Sequence, residues 1–439
     1  MLINCDLHSH SGYAGGVGQI SLDDLEKAME KKGIQVFGTG DCLHTEWRSF
    51  LKDNLIEKED GLFSKKGNHA RFLLQTEVIF TCSIGSGRKS VHTVLLFPSF
   101  EAVDKTCRLL EDMAVKNTIG RPFIKCEDKK DVGSKLCRIL DTDDGIEVIP
   151  AHVMTPQGVY GSNNPVNRIE DFYGCATERI SAVETGLSAD PEVLSLIPEL
   201  DDYALVSNSD AHSAALNRIG REFTTFDVSS ISYGAIIDAI RRKKVARTAE
   251  FNPTEGRFFL TGHRAGKKGH GDAYCAFSPK FTPKDGKCPI CGKGLTVGVL
   301  ERAFQIRDAQ GGVRELGELS SSAKEFIKMV PLVEVIAYSF GVSSVTSGKV
   351  VSVYDDVVGA FGSEANLWFE NDAVIERKLS SIGVASGIID NIIKIKDGDF
   401  CFSPAGFDGT YGKLKVGEKE NIFNVNIVSG HLDAQKTLF

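Results

Sequence analysis

At 439 residues the chain is long enough for two to four domains of roughly 100–200 residues each, with a sizeable buried core. Hydrophobic residues make up 42% and charged residues 25%, which excludes disordered, collagen-like and coiled-coil classes. Net charge is −8, but residues 241–293 hold 13 Lys and Arg against four acids, a local +9 that leaves −17 elsewhere, so one stretch is suited to facing phosphates.

Ser21-Leu22-Asp23-Asp24 is a helix start with an acid three residues after the cap, and Leu22, Leu25 and Met29 form an apolar stripe closed by Gly33. Strands are expected at Ile34 to Phe37, Leu73 to Phe80, Val91 to Phe97, Ile146 to Ile149, Ile180 to Val183 and Tyr203 to Val206. This alternation predicts an α/β fold with a parallel sheet or barrel over residues 1–230. Gly85-Ser86-Gly87-Arg88-Lys89-Ser90 is read as a hairpin turn; no G-x-x-x-x-G-K-[ST] phosphate loop occurs, which disfavours a helicase. A linker is expected at 231–262, a small zinc-binding module at 263–300 and a mainly helical C-terminal region at 301–439, with helices at Ser320 to Ile336 and Ala373 to Ile395. Apolar runs such as Val94 to Phe97 fall far short of the ~20 residues that span a bilayer. Met1-Leu2-Ile3 leads straight into polar residues, and eleven scattered cysteines suit a reducing compartment. The expected location is the cytoplasm, with no membrane partner.

Six of the ten histidines fall where predicted strands finish, in company with carboxylates. Asp6-Leu7-His8-Ser9-His10 ends the first strand and Asp41-Cys42-Leu43-His44 the second, Glu77 lies within the third, and His92 opens the fourth. His152 follows Pro150, Glu184 follows Val183, and Ser209-Asp210-Ala211-His212 ends the last. In a β/α barrel such positions converge on one face. His-x-His on an extended strand turns both rings to one side, and imidazoles with carboxylates suit zinc, manganese or iron; the ions expected in the barrel are Zn, Mn or Mg. The expected ligands of two or three divalent ions are His8, His10, Asp41, His44, Glu77, His92, His152, Asp210 and His212, with Glu77 able to bridge two ions. Glu184 is a ligand, an orienting group or a proton acceptor, and Asp210, His212, Glu184 and Glu77 are the catalytic candidates. Closely spaced ions activate water and stabilise displacement at phosphorus, so the implied chemistry is phosphoester hydrolysis. His69 and His431 fall outside this pattern and are read as solvated.

Cys275, Cys288 and Cys291 stand in the order C-x12-C-x2-C around a Cys-Pro-Ile-Cys-Gly knuckle. With His270, or alternatively His263, they can close one structural zinc site of Cys3His type, which would stabilise a segment too short to bury its own core. The remaining eight cysteines, Cys5 and Cys42 among them, are read as small core fillers.

Asp6-Leu7-His8-Ser9-His10-Ser11, His92, Pro150-Ala151-His152 and Ser209-Asp210-Ala211-His212 resemble the polymerase-and-histidinol-phosphatase (PHP) domain, a distorted β/α barrel that binds two or three metals. Gly38-Thr39-Gly40-Asp41, Glu184-Thr185-Gly186-Leu187, Gly220-Arg221-Glu222, Cys288-Pro289-Ile290-Cys291-Gly292, Phe361-Gly362-Ser363-Glu364 and Gly406-Phe407-Asp408-Gly409-Thr410-Tyr411-Gly412 are similar to the endonuclease Q family across nearly the whole chain. Met154-Thr155-Pro156-Gln157 and Glu46-Trp47 depart from that family's pattern. The resemblance implies a metal-dependent endonuclease that cuts DNA 5′ to deaminated bases (uracil, hypoxanthine, xanthine) or abasic sites. Candidate DNA contacts are Tyr13, Trp47, Arg221, Lys267, Lys268, Tyr274 and Tyr411, and a replication sliding clamp is a candidate further partner. A histidinol-phosphatase-like small-molecule phosphoesterase and a catalytically inactive DNA-binding protein are the alternatives.

Overall fold

The computed structural model describes residues 1–15 and 20–429; His431 lies outside them. The chain opens with β1 (Leu2–Asp6) and α1 (Leu22–Lys32). The Ser21 hydroxyl accepts from Asp24 N at 3.1 Å, Gly33 closes the helix at φ 79°, and Leu22, Leu25 and Met29 are buried as the periodicity requires. There follow β2 (Val36–Gly38), α2 (Thr45–Asn54), β3 (Ile56–Glu59), β4 (Leu62–Ser64), β5 (Arg71–Ile84) and β6 (Gly87–Phe97). Next come α3 (Phe100–Asp112), β7 (Phe123–Lys125), α4 (Lys129–Leu140), β8 (Glu147–Pro150), α5 (Glu170–Tyr173), β9 (Ala182–Glu184), α6 (Pro191–Leu194), β10 (Ala204–Val206) and β11 (Phe223–Asp227).

The fold is mixed α/β, and its main sheet is not purely parallel. β1 pairs parallel with β2 and β2 with β5, but β1 is antiparallel to β11, and β6 is antiparallel to both β5 and β8. The cause is local. Gly85-Ser86 joins β5 to β6 in a hairpin whose register runs from Ile84↔Gly87 to Leu74↔Phe97, and a two-residue connection permits only antiparallel pairing. The sheet follows the order β3-β4-β5-β2-β1-β11, with β6 and β7 branching from β5 and β8 from β6; β9 and β10 form a separate parallel pair. Among the described residues this ladder is open and branched.

Residues 231–262 are not a linker. They contain α7 (Tyr233–Arg241) and β12 (Val245–Phe251), and β12 is antiparallel to β11, so the main sheet runs on through them. β13 (Thr261–His263) and β14 (Tyr274–Phe277) pair antiparallel beside the cysteine knuckle, and α8 (Val299–Ala309) follows. The helix expected over 320–336 divides. Glu325–Met329 is β15, parallel to β12 at the sheet edge, and Pro331 confines the helix to α9 (Leu332–Ser339). The helix expected over 373–395 is also two, α12 (Asp372–Ser381) and α13 (Ser386–Lys396), separated at Gly383 (φ 80°); before them lie α10 (Gly348–Phe361) and α11 (Glu364–Trp368). Three short strands follow among the described residues: β16 (Phe400–Phe402), β17 (Leu414–Val416) and β18 (Asn426–Ser429), the last pairing with β14.

The helical region is bound to the sheet region by a buried carboxylate in the Phe361-Gly362-Ser363-Glu364 segment. Glu364 Oε1 lies 2.7 Å from Lys32 Nζ of α1, both side chains being 1% exposed. It also accepts from Leu332 N at 3.0 Å and Trp368 Nε1 at 3.3 Å, while Oε2 accepts from the Tyr354 hydroxyl at 2.9 Å. No described helix is long and apolar enough to cross a membrane.

Candidate metal centre

His8 and His10 follow the end of β1 at Asp6, two residues apart, and both present ligand atoms to one group. Between them Ser9 turns away, its hydroxyl donating to Gly38 O at 2.7 Å. Buried Gln75 accepts from Ser9 N and Gly40 N at 3.2 and 3.0 Å, fixing the loops after β1 and β2 to β5. Asp6 binds the last loop in the same way, accepting from Ser209 N at 2.9 Å and Gly220 N at 3.0 Å. Burial pushes its carboxyl up to about 6, against the pull of those hydrogen bonds.

Two trios of ligand atoms result, each mutually within 4.8 Å: His8, His10 and Asp210, and Glu77, His92 and His152. Glu77 joins them. Its Oε1 is 2.7 Å from His92 Nδ1, 3.3 Å from His152 Nε2 and 3.7 Å from His8 Nε2, while Oε2 is 3.7 Å from His10 Nε2. His10 Nε2 stands 3.1 Å from Asp210 Oδ1. His8 Nε2, Glu77 Oε2 and Asp210 Oδ1 are all shielded from solvent without a hydrogen-bond partner. Buried polar atoms are rarely left so, and three of them converging from different strands fit a cation.

The supporting groups set which imidazole nitrogen faces inward. Glu184 receives His8 Nδ1 at 3.0 Å, Asn208 Nδ2 at 2.9 Å and His152 N at 2.8 Å, leaving His8 Nε2 for the centre. Asp41 Oδ1 lies 3.3 Å from His10 Nδ1, and Oδ2 accepts from Ser11 N and the Ser11 hydroxyl at 2.7 and 2.6 Å. The Thr155 hydroxyl holds His152 Nδ1 at 2.7 Å. Glu184 and Asp41 therefore act on the ligands; neither joins the two trios. His44 also stays out, half-buried at the start of α2 and stacked on Tyr13 with ring centroids 4.4 Å apart. His212 is exposed at the mouth, its ring 4.4 Å from that of His10 and Nδ1 3.0 Å from Asp210 O.

Asp41, His152 and Asp210 all carry positive φ, at 44°, 30° and 47°, a conformation disfavoured for non-glycine residues. At Gly186 a Cβ would meet that of His152 at 2.3 Å, so only glycine admits this approach of the β9 loop to the His152 loop. The charges are strongly coupled. Burial works against the imidazolium of His8, but Glu184, Asp210 and Glu77 outweigh it and raise it to about 9; His10 is likewise raised to about 10 by Asp210 and Asp41. Burial also opposes ionisation of Glu77 and Asp210, yet the surrounding imidazoles hold both carboxyls well below the usual range. Burial lowers His92 and His44.

A second group lies in the cysteine segment. His263, His270, Cys288 and Cys291 present ligand atoms within 4.8 Å of one another, and Cys275 Sγ adjoins Cys288 Sγ at 3.6 Å. The two rival histidines are thus both present, 3.3 Å apart between Nδ1 and Nε2, because the β13–β14 pairing sets His263 beside the loop that carries His270.

The seven candidate DNA contacts do not form one surface. Trp47 is buried, its indole donating to Thr39 O and Gly40 O at 3.1 and 2.8 Å, and Arg221 is buried with its guanidinium on Ser209 O at 3.0 and 2.9 Å. Both position the site loops. Lys267 is paired with Asp408 at 2.8 Å, and half-buried Tyr274 stacks on Phe407; Tyr13 is half-buried against His44. Lys268 and Tyr411 are exposed, Tyr411 beneath the Arg257 guanidinium. Exposed His69 lies away from the centre, as expected. Sequence reading missed Gln75, Asn208 and Arg121. The first two could be found only through their hydrogen bonds; Arg121 stands in a Gly-Arg-Pro turn, a weak signal without the fold.

No protein-family model matches the chain. The lesion-specific endonuclease PfuEndoQ of Pyrococcus furiosus superposes with a TM-score of 0.78 over 97% of this chain and 98% of its own, at 26% identity. A structure of Endonuclease Q in complex with a 27-mer duplex carrying an abasic lesion gives a TM-score of 0.77 at 25% identity, over 97% and 99% of the two chains. The chain belongs to the endonuclease Q family. Two further proteins resemble this endonuclease Q family member in sequence. The Methanocaldococcus jannaschii protein MJ0043 is 30% identical over 250 residues, which are 56% of this chain and 29% of that protein, so the match spans less than a third of this relative. YqxK of Bacillus subtilis is 27% identical over 437 residues, 94% of this chain and 99% of its own.

Proposed function

We propose that this protein is a metal-dependent endonuclease that hydrolyses the DNA phosphodiester 5′ to a deaminated base or an abasic site. The observation that carries the reading is Glu77, which belongs to one His-containing trio and reaches the other, with His8 Nε2, Glu77 Oε2 and Asp210 Oδ1 buried there without partners. Its support is the likeness over nearly the whole chain to a lesion-specific endonuclease and to a family complex with abasic duplex DNA. The same reading takes the strands of residues 1–230 as a distorted barrel, 263–300 as a zinc-stabilised module and the helical remainder as part of the DNA-binding surface.

His8, His10, Asp210 and Glu77 would hold one divalent ion, and Glu77, His92 and His152 another; bound ions would supply a water nucleophile at neutral pH and offset charge building on the phosphate. The chain's own groups do the rest. Glu184 and Asp41 keep each proton on the Nδ1 side of His8 and His10, so Nε2 stays directed inward. His212 stands at the mouth with Nδ1 3.0 Å from Asp210 O, which leaves Nε2 for an ion or for a proton exchanged with substrate. A deaminated or missing base costs less to extrude than a paired one, which lets the adjoining phosphate reach the centre.

The test is incubation of the purified protein with oligonucleotides bearing uracil, hypoxanthine, an abasic site or no lesion, with Mn, Mg or Zn and a chelator control. Cutting confined to lesioned strands, abolished by Asp210→Ala while DNA binding persists, is the expected result. Turnover of small phosphoesters with all DNA left intact would favour the small-molecule phosphoesterase instead.

A further inference from the structure

Arg121 is a cation placed where bound metals would repel it. Its Nη1 lies 3.7 Å from Glu77 Oε2, the oxygen that faces His10, and its Nη2 donates to Ala14 O at 3.0 Å. Nε is shielded from solvent and has no acceptor. The side chain is 23% exposed, so the guanidinium sits at the wall of the centre, open on one side.

The turn that carries it is held rigidly. Gly120 has φ 72°, and a Cβ there would meet Asp41 Cγ at 2.9 Å, so the turn presses on the residue that orients His10. On the other side, Pro122 O accepts from Ile79 N at 2.9 Å, fixing the chain to β5 two residues beyond Glu77. A side chain presented from such a turn is pre-organised. A purely structural ion pair with Glu77 accounts poorly for it, because a single 3.7 Å approach forgoes the two-pronged geometry that makes arginine–carboxylate pairs strong. With divalent ions on Glu77, that carboxylate is engaged and Arg121 becomes a surplus positive charge beside them. An anion shared by the guanidinium and the ions removes the conflict, and a phosphoryl group matches the fork of arginine.

We infer that Arg121 binds a non-bridging oxygen of the phosphate at the metal centre and positions it there. This rests on the phosphoesterase reading of the site and deepens it. Among the described residues Arg121 is the one Lys or Arg side chain within 4.0 Å of the Glu77 carboxylate.

The experiment measures inorganic phosphate binding to the manganese-loaded full-length protein by titration calorimetry, alongside metal content by elemental analysis, for wild type, Arg121→Gln and Arg121→Lys. Losing a charge-assisted contact should weaken phosphate binding by about 10- to 100-fold in Arg121→Gln, with unchanged manganese stoichiometry. Arg121→Lys keeps the charge but loses the fork and should fall between the two; it also serves if Arg121→Gln does not fold. Equal phosphate affinity in folded variants, no phosphate binding by wild type, or loss of manganese from the variants would each overturn the inference, the last by making Arg121 a support for Glu77. Cleavage of lesioned DNA by the same wild-type preparation is scored separately. Phosphate binding that depends on Arg121 without any DNA cleavage would sink the endonuclease reading and leave this one standing.

Discussion

Glu364 gives a sharp test of how the helical region is held to the sheet region. Replacing it with alanine removes the partner of Lys32, which is 1% exposed and keeps only Leu216 O, at 3.1 Å, as an acceptor. It also strips the acceptor from Leu332 N, Trp368 Nε1 and the Tyr354 hydroxyl. Removing one member of a buried ion pair costs about 3–5 kcal/mol, whereas a surface pair would cost at most about 1 kcal/mol. The orphaned donors contribute to that loss without adding to it in full, because they share one carboxylate. Glu364→Ala should therefore lower the free energy of unfolding of the helical region by about 3–5 kcal/mol. Lys32→Met combined with Glu364→Gln, which removes both charges and keeps an acceptor, should recover most of the loss. Urea unfolding at pH 7, followed by the fluorescence of Trp368, which lies against the carboxylate, gives the midpoints. A loss below about 1 kcal/mol for Glu364→Ala, or a double variant no more stable than that single one, would refute the argument.

Three further outcomes follow from the site and its surroundings. His8 and His10, raised to about 9 and 10, are protonated at pH 7 in the metal-free protein, so metal uptake must release protons and apparent affinity should climb from pH 6 toward 9; calorimetry in buffers of different ionisation enthalpy would show it, and pH-independent affinity would count against these residues as ligands. If zinc is held by His263, His270, Cys288 and Cys291, Cys288→Ser should release it on purification, whereas Cys275→Ser should retain it; equal loss from both would place Cys275 in the ligand set. Glu250, buried on β12, is raised to about 7 by burial, so the folded state binds the extra proton and stability should fall as pH rises from about 4.5 through 7. Glu250→Gln should flatten that slope in pH-dependent urea titrations.

The spacing of particular residues carried most of the centre. His8-x-His10, His152 and Asp210 follow strand ends, whereas His92 lies in the middle of β6 opposite Ile79 and not at the strand start expected from the sequence; Glu77, on β5, was readable as a carboxylate able to bridge two ions. What spacing cannot convey is which carboxylates ligate and which orient: Asp41, Glu184 and Asp210 look alike in sequence, and only their distances to Nδ1 or Nε2 separate them. Arg121 was out of reach because its meaning depends on a turn packed against Asp41, nearly 80 residues earlier in the chain. The same limit affected the fold. Glu325 to Met329 has the composition of a helix as much as of a strand, and its pairing with β12 is a tertiary choice that the local pattern does not encode. Residues 252–300, rich in Gly and Pro, were readable as irregular, but the sheet strand at Val245–Phe251 was concealed by the basic residues before it.

The left-handed backbone at Asp41, His152 and Asp210 narrows what each position can accept. Glycine at any of the three would relax the main chain, yet would delete a group on which the centre depends and, at Asp41, the acceptor that holds Ser11. Relief of the strain and retention of the chemistry therefore exclude one another at these three corners.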